Sequence, residues 1–196
     1  MARPMRVAIF ANGTAQRRFA EEIFTLNDIG FSVVDSVPPD HEQLWLPDIG
    51  PGSQCGFTHA IVCGAWADIK EEITSLIPAP LISALHPDAT ISQKAVVWPG
   101  SIVNARAVIL NEAVVGIGCM IHAGVVVSHD CQIGDFANLS PGCILGGSVE
   151  VGKGATIGMG VTIYKGVKIG AGATIHNGVD VFKDVPEGKT VKARVL

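Results

Sequence analysis

Every sixth residue is aliphatic over the second half of the chain, in one register without a break. The sites are Ile91, Val97, Val103, Ile109, Val115, Ile121, Val127, Ile133, Leu139, Leu145, Val151, Ile157, Ile163, Ile169, Ile175 and Val181. A compact residue stands two positions before most of these sites, and glycine often follows them. Short strands joined by tight corners satisfy this pattern, because side chains alternate along a strand. The repeat therefore predicts a coiled β-solenoid.

This pattern resembles the hexapeptide-repeat, left-handed parallel β-helix, in which three six-residue repeats make one triangular coil. The resemblance covers residues 89 to 186. The left hand is implied by the resemblance alone, since the general rule for parallel crossovers favours the right hand. Proteins of this family are usually homotrimers, so a homotrimer is the expected assembly. A β-solenoid without enzymatic activity is the alternative.

The first 86 residues follow another pattern, in which buried strands alternate with amphipathic helices. The predicted elements are strands at 6–10, 31–35, 60–63 and 80–83, with helices at 15–26 and 66–76. This order is typical of a small parallel α/β domain of Rossmann-like type. We therefore predict two domains, an α/β domain at 1–86 and a left-handed parallel β-helix with a C-terminal tail at 87–196.

Composition restricts the partners. Hydrophobic residues form 48% of the chain and charged residues 16%, as in a globular protein. A net charge of −4 gives no general attraction to nucleic acid or to an anionic membrane, and neither partner is predicted. No apolar run is long enough for a signal-peptide core or a membrane span, so a cytoplasmic protein is expected. Cys119, Cys131 and Cys143 recur without any CxxC pair and are interpreted as small, reduced core residues.

A histidine–aspartate pair, His129-Asp130, lies within the repeat. On an eighteen-residue coil, His129 stacks between Asn111 below and Gly147 above, with Lys165 one coil further, at about 4.8 Å per coil. Gly147 leaves room beside the imidazole. An imidazole titrates near neutral pH and suits the deprotonation of an amine, while a neighbouring carboxylate can fix its tautomer. Because neighbours on a flat strand point apart, the pair has to sit at a corner. A solvated turn is the alternative for an isolated His-Asp dipeptide.

The sequence around the pair favours the catalytic interpretation. Residues 128–142 read Ser-His-Asp-Cys-Gln-Ile-Gly-Asp-Phe-Ala-Asn-Leu-Ser-Pro-Gly. This segment closely resembles bacterial acetyltransferases related to the sialic-acid O-acetyltransferases. The nearest branch comprises the N-acetyltransferases of nucleotide-linked amino sugars, typified by the UDP-4-amino-sugar and GDP-perosamine enzymes. In that branch a small α/β domain that binds the nucleotide sugar precedes the β-helix, so the resemblance extends over essentially the whole chain.

The resemblance implies roles for individual residues. His129 is the general base, Asp130 orients it, and Gly147 contacts acetyl-CoA through its backbone. The other expected cofactor contacts are Asn138, Met159, Lys165 and Asn177. Many relatives have histidine at the position of Asn138, near the acetyl thioester; an asparagine there can donate a hydrogen bond but cannot act as an acid.

The α/β domain carries the expected substrate contacts. Asn12, Gly13 and Thr14 lie between the first strand and the first helix, where a helix N-terminus can receive phosphate. One glycine is a poor dinucleotide fingerprint, so NAD is not indicated. The resemblance implies that Asp35, at the end of the second strand, recognises the nucleotide base. A strand-ending loop carboxylate is its alternative role.

These features predict an acetyl-CoA-dependent N-acetyltransferase that transfers directly to a nucleotide-linked amino sugar of the 4-amino-4,6-dideoxy type. The expected partners are the sugar nucleotide and acetyl-CoA. O-acetylation of a sialic acid or related sugar is the close alternative, and a noncatalytic β-helix that binds sugar nucleotide is the alternative of another class. No metal is expected, because His122 and His176 fall on one column about 14 Å apart. A zinc site between subunits, as in gamma carbonic anhydrases, is a further alternative.

Overall fold

A computed structural model of the chain describes residues 6–11, 15–27, 30–35, 58–63, 71, 74–75, 77 and 79–192. The predicted helix at 66–76 and the predicted phosphate-binding residues Asn12, Gly13 and Thr14 lie largely or wholly outside these ranges. Within them, no helix combines the length and the apolar character that a membrane crossing requires.

Three parallel strands and helix α1 form most of the described N-terminal region, in which residues 71, 74 and 75 are also helical. Strand β1 (Arg6–Ala11) lies between β2 (Gly30–Asp35) and β3 (His59–Cys63), and helix α1 (Ala15–Leu26) links β1 to β2. The predicted strands at 6–10, 31–35 and 60–63 and the helix at 15–26 are confirmed to within one residue. The predicted strand at 80–83 is reduced to one bridge between Leu81 and Ala60.

A prism with three parallel sheets follows, which we number as faces 1, 2 and 3. Face 1 contains β4 (Ala84–Leu85), β7 (Ile102–Val103), β10 (Met120–Ile121), β13 (Asn138–Leu139), β16 (Thr156–Ile157), β19 (Thr174–Ile175) and β21 (Thr190–Val191). Face 2 contains β5 (Thr90–Ile91), β8 (Val108–Ile109), β11 (Val126–Val127), β14 (Ile144–Leu145), β17 (Thr162–Ile163) and β20 (Asp180–Val181). Face 3 contains β6 (Val96–Val97), β9 (Val114–Val115), β12 (Gln132–Ile133), β15 (Glu150–Val151) and β18 (Lys168–Ile169).

Strands eighteen residues apart pair in register within each face. Met120 pairs with Asn138, and Asn138 with Thr156. The coil is left-handed and has about six turns, which confirms the β-helix predicted from the resemblance. We call the end nearest β4 the lower end of the prism. The first rung, β4, lies just before the predicted domain boundary at residues 86 and 87.

The interior of the prism is filled by the residues that define the six-residue repeat. The second residue of each strand points inward, and Ile109, Ile121, Leu139 and Leu145 are fully buried. Burial of each such side chain contributes roughly 1.5–3 kcal/mol. The compact residues at the corners are buried as well and let the coil turn tightly.

The three regularly spaced cysteines belong to this interior. Cys119, Cys131 and Cys143 are buried and form no disulfide, as predicted. The Cys119 thiol donates to the Gly134 carbonyl at 3.2 Å. Burial raises the pKa of Cys143 to about 12, which keeps that thiol protonated and unreactive.

The N-terminal region packs against the lower part of face 1. Outward-facing Ile102 and Met120 are buried in one cluster with Ile9 and Phe24. The side-chain amide of Asn27 donates to the Leu85 carbonyl at 3.1 Å. Higher on face 1, the outward column becomes polar, with the side chains Asn138, Thr156 and Thr174.

We expect Leu139→Ala to lower the free energy of unfolding by about 2–5 kcal/mol, because it leaves a cavity in the prism interior. The measurement is urea denaturation at fixed protein concentration, followed by circular dichroism. The control is Leu26→Ala, which removes a side chain that is 55% exposed on α1. Equal midpoints for the two variants would contradict the assigned core.

Candidate active site

The edge between faces 2 and 3 carries the His129-Asp130 pair. Nδ1 of His129 lies 2.6 Å from Oδ2 of Asp130, a hydrogen bond slightly shorter than the length of about 2.7–2.9 Å that is usual for a charge-assisted N–H···O pair. Asp130 has a φ of +60°, in the left-handed region. This conformation turns the chain sharply, so that two consecutive side chains meet at a corner. Both are exposed, at 60% and 55% of their side-chain surface, and a substrate can reach them.

The imidazole packs directly against Gly147 of the next coil. A Cβ on Gly147 would lie 2.5 Å from Cε1 and 2.6 Å from Nε2 of His129, so a larger residue would displace the ring. The backbone fixes the alignment. The Ser148 amide donates to the His129 carbonyl at 2.9 Å, and the Asp130 amide donates to the Asn111 carbonyl at 3.0 Å.

A side chain of the next coil caps the amides of Met159 and Ile117 at two corners of the prism, but no described side chain caps the amide of Gly147. The Met159 N–H donates to Oδ1 of Asn177, eighteen residues later, at 2.9 Å. Lys165 stands eighteen residues after Gly147, and its ammonium has no acceptor to offer. The Gly147 N–H meets no acceptor among the residues that the structure describes. A backbone donor is therefore free beside the imidazole and can bind an oxygen that gains negative charge.

Backbone strain concentrates at the same edge. Glu112, Asp130 and Ser148 stack at eighteen-residue intervals, with φ values of +58°, +60° and +59°. The other described non-glycine residues with positive φ are Arg106 and Phe136, at the other two edges. Such a conformation costs a side-chain-bearing residue about 1–2 kcal/mol, and it clusters at functional sites. The strain favours this edge as the place where chemistry occurs.

Cys131 follows the pair immediately but is not a nucleophile. Its thiol points into the prism and donates to the Gly146 carbonyl at 3.2 Å. Burial raises the pKa of the Cys131 thiol above its usual value. A protonated, buried thiol cannot attack a thioester, so the geometry supports direct transfer without an acyl-enzyme at this residue.

The other expected cofactor residues lie elsewhere on the prism. Lys165 stands above Gly147 on the edge of His129, whereas Met159 and Asn177 lie on the edge between faces 1 and 2. Asn138 points outward from β13 on face 1, and its Oδ1 is buried with no hydrogen-bond partner in the described part of the chain. One chain therefore does not bring all the predicted cofactor residues together.

A small cavity lies next to Asn177 on the upper part of face 1. Its volume is about 280 Å³, and it is lined by Ser140, Thr156, Gly158, Thr174, Ile175, His176 and Asn177. A larger groove of about 560 Å³ lies on face 3, but none of the predicted site residues line it. Its Glu150 and Lys168 pair at 2.9 Å, and this carboxylate raises the pKa of Lys168.

The expected substrate residues are partly described. Asp35 is the last residue of β2, and its backbone pairs with Ala11 at the end of β1. The chain enters the predicted phosphate turn of Asn12, Gly13 and Thr14 directly after Ala11, so Asp35 lies beside the start of that turn. The Asp35 side chain and the turn itself lie outside the described part of the chain.

In the described ranges, no group of three or more His, Cys, Asp or Glu residues is placed to hold a metal ion. His122 and His176 follow strands β10 and β19 of face 1 and lie three coils apart.

The sequence analysis missed the residues that cap corner amides. Asp135 accepts from the Ile117 amide at 2.8 Å, as Asn177 accepts from the Met159 amide. The signal was present, since in both cases an aspartate or asparagine stands eighteen residues after the amide that it caps. Asn177 therefore has a structural role in its own chain.

Comparison with known proteins agrees with this architecture. The bacterial transferase hexapeptide (six repeats) family model matches residues 112–147 and 148–179, which include His129 and Gly147. No curated protein sequence matches the chain.

Several solved structures are similar over almost the whole chain. PerB from Caulobacter crescentus, in complex with CoA and GDP-perosamine, is 24% identical, with a TM-score of 0.84 over 95% of this chain and 93% of that one. The acetyltransferase domain of PglB from Neisseria gonorrhoeae, in complex with acetyl coenzyme A, is 26% identical, with a TM-score of 0.81 over 97% of each chain. WeeI from Acinetobacter baumannii is 18% identical, with a TM-score of 0.79 over 98% of this chain and 100% of that one. The chain is therefore an acetyltransferase that carries the bacterial transferase hexapeptide repeat over residues 112–179 and resembles the acetyltransferase domain of PglB over almost its whole length.

Proposed function

We propose that this enzyme transfers the acetyl group of acetyl-CoA to the amino group of a nucleotide-linked amino sugar of the 4-amino-4,6-dideoxy type. The observation that carries the proposal is the exposed His129-Asp130 pair, held against Gly147 with its free amide. The complexes of similar proteins support the choice of reactants, since PglB is solved with acetyl coenzyme A and PerB with CoA and GDP-perosamine.

His129 acts as the general base. Asp130 accepts a hydrogen bond from Nδ1–H of His129, which leaves Nε2 as the free base and stabilises the imidazolium that forms. Nε2 removes a proton from the attacking amine of the sugar, and the same proton can pass to the departing sulfur. The Gly147 amide donates to the thioester oxygen as negative charge develops there. Acetyl-CoA supplies the activated acetyl group and leaves as the free thiol.

The donor binds between neighbouring β-helices of a homotrimer. This arrangement explains why Asn138, Met159 and Asn177 lie away from His129 in one chain, because a partner copy brings them to its edge. Met159 is 52% exposed, and Asn138 buries an amide oxygen that lacks a partner in the described part of its own chain. Both suit a surface that a ligand or a second copy covers.

The Rossmann-like domain at 1–86 presents the sugar nucleotide to the β-helix at 87–196. Asn12, Gly13 and Thr14 bind its phosphates, and Asp35 recognises its base. The backbone supports this assignment, because Asp35 pairs with Ala11 at the strand end where the turn begins. In parallel α/β sheets, ligands bind at the carboxyl ends of the strands.

The function is tested by calorimetric titration with acetyl-CoA, followed by thiol release in the presence of UDP-, dTDP- and GDP-linked 4-amino sugars. Thiol release with one amino sugar supports the proposal. Release only with hydroxyl acceptors such as sialic acid would assign O-acetylation. Binding of sugar nucleotides without any acetyl-CoA binding would indicate a noncatalytic protein.

We expect His129→Ala to lower kcat by roughly two to four powers of ten, because a general base contributes about that factor. Steady-state thiol release is the readout, and calorimetry checks that acetyl-CoA still binds. Gln93→Ala, at the same turn position two coils lower, serves as the matched control and should retain full activity. Near-wild-type turnover by His129→Ala would show that His129 is not the general base.

Gly147→Ala should lower kcat by at least about tenfold while the fold persists, because the new methyl group would displace the imidazole from its position beside Asp130. The control is Gly124→Ala at another edge, where an added Cβ meets nothing within 4 Å but the φ of +68° strains the backbone, so stability falls with no change beside His129. Both variants are compared by thiol release and thermal denaturation. Equal kcat values for Gly147→Ala and Gly124→Ala would show that catalysis does not depend on the position of the His129 ring.

Mixed oligomers test the site between copies. We expect His129→Ala and Met159→Glu to be inactive separately and to regain activity when they are co-expressed and purified as mixed oligomers. Some sites then combine an intact His129 with an intact Met159 from another copy. If each chain held a complete site, every site would carry one defect and the mixture would stay inactive.

A further inference from the structure

An ion pair joins the N-terminal region to the prism. Nζ of Lys153 lies 2.6 Å from both carboxylate oxygens of Glu71, which stands 82 residues earlier in the chain. Lys153 belongs to the edge between faces 3 and 1, whereas Glu71 belongs to the region that precedes β4. About half of each side chain is exposed, at 52% and 47%. An exposed pair adds little to stability, so its importance depends on what it holds in place.

Lys153 pairs across the domain boundary although a carboxylate stands in its own column. Asp135 is eighteen residues earlier and therefore lies one coil below Lys153. The Oδ1 atom of Asp135 accepts from the Ile117 amide of the next lower coil at 2.8 Å. This hydrogen bond holds the Asp135 carboxylate to the coil below. Glu71 of the N-terminal region is the carboxylate that neutralises Lys153.

The apolar contact between the two regions lies lower on the prism than the ion pair. Ile102 and Met120, on the second and third rungs of face 1, pack in one cluster with Ile9 and Phe24. Apolar burial is non-directional, so this cluster alone leaves the N-terminal region free to tilt on the prism. Lys153 stands two coils above Met120, which corresponds to about 10 Å. A second contact at that height opposes the tilt.

We propose that Glu71 and Lys153 are positioning residues for the acceptor, because their ion pair fixes the orientation of the α/β domain on the prism. This inference rests on the proposed function, in which the α/β domain binds the sugar nucleotide and the prism carries His129. The attacking amine and Nε2 of His129 are then held by different domains, and the distance between them depends on how those domains are oriented. A misplacement of about 1 Å can lower the rate by up to roughly a hundredfold.

Glu71→Gln and Lys153→Gln each remove the ion pair. We expect each to lower kcat/KM for the amino sugar about tenfold in the thiol-release assay, because the amine is held less accurately beside His129. The KM for acetyl-CoA should not change, since the prisms bind the donor. Thermal denaturation should give equal midpoints for both variants and the wild type, because an exposed pair contributes little to stability.

Exchange of the two charges separates positioning from other roles of these side chains. Glu71→Lys combined with Lys153→Glu restores an ion pair at the same place, and it should return kcat/KM for the amino sugar to within about twofold of the wild type. The matched control is Glu150→Gln, which removes the ion pair of 2.9 Å with Lys168 inside face 3. This control should leave kcat/KM for the amino sugar unchanged, because the Lys168 pair joins no domains.

A second measurement requires no substrate. A carbodiimide joins a carboxylate to an ammonium group only where the two touch, so it should link Glu71 to Lys153 in the wild type, as detected by mass spectrometry of the linked peptides. Lack of this link, unchanged kcat/KM in both single variants, or no recovery on charge exchange would overturn the positioning role. If the link forms but the wild type acetylates no amino sugar, the proposed function fails, whereas the ion pair between the domains stands.

Discussion

The stacking of each residue over the one eighteen positions earlier is the constraint on which the rest of the molecule depends. Backbone hydrogen bonds between coils fix this register, and the buried aliphatic residues hold it, because a shift by one residue would turn the core side chains to solvent. The register places Gly147 against His129 and Lys165 above both. The site is thus a vertical column, in which residues far apart in sequence are neighbours at intervals of one coil.

The same register decided what could be predicted. The six-residue period identifies inward residues without any knowledge of contacts, and His129 with Gly147 follows from counting by eighteen. The depth at which Asn138 sits could not be predicted, because its outward position in β13 is covered by tertiary packing and not by the repeat. The left-handed backbone of Glu112 and Ser148 could not be predicted either, since their residue types do not favour that conformation.

The three edges of the prism differ in which residues occupy the left-handed corner positions, and this difference affects stability. Two edges place glycine at most left-handed positions, where it costs little. The edge of His129 has glycine only at Gly166 and places Glu112, Asp130 and Ser148 at three other left-handed positions, at a cost of about 1–2 kcal/mol each. At position 130 the strained aspartate has a function that glycine could not supply. Glycine would turn the chain as well, but it would leave Nδ1 of His129 without its carboxylate. The stability lost there is offset by the fully buried core beneath.

The unpaired side-chain oxygen of Asn138 connects the single chain with its proposed assembly. A buried amide oxygen without a hydrogen bond costs about 1–3 kcal/mol, and no described residue of its own chain offers a donor. In the proposed trimer, the donor molecule and the partner copy both approach face 1, so either can supply the missing hydrogen bond. An asparagine is better suited than histidine to that task alone, because it presents an acceptor and donors at every pH. In the homotrimer that we propose, relief of this one unpaired group would link binding of the acetyl donor to the contact between copies, and it would leave the acid–base chemistry to His129.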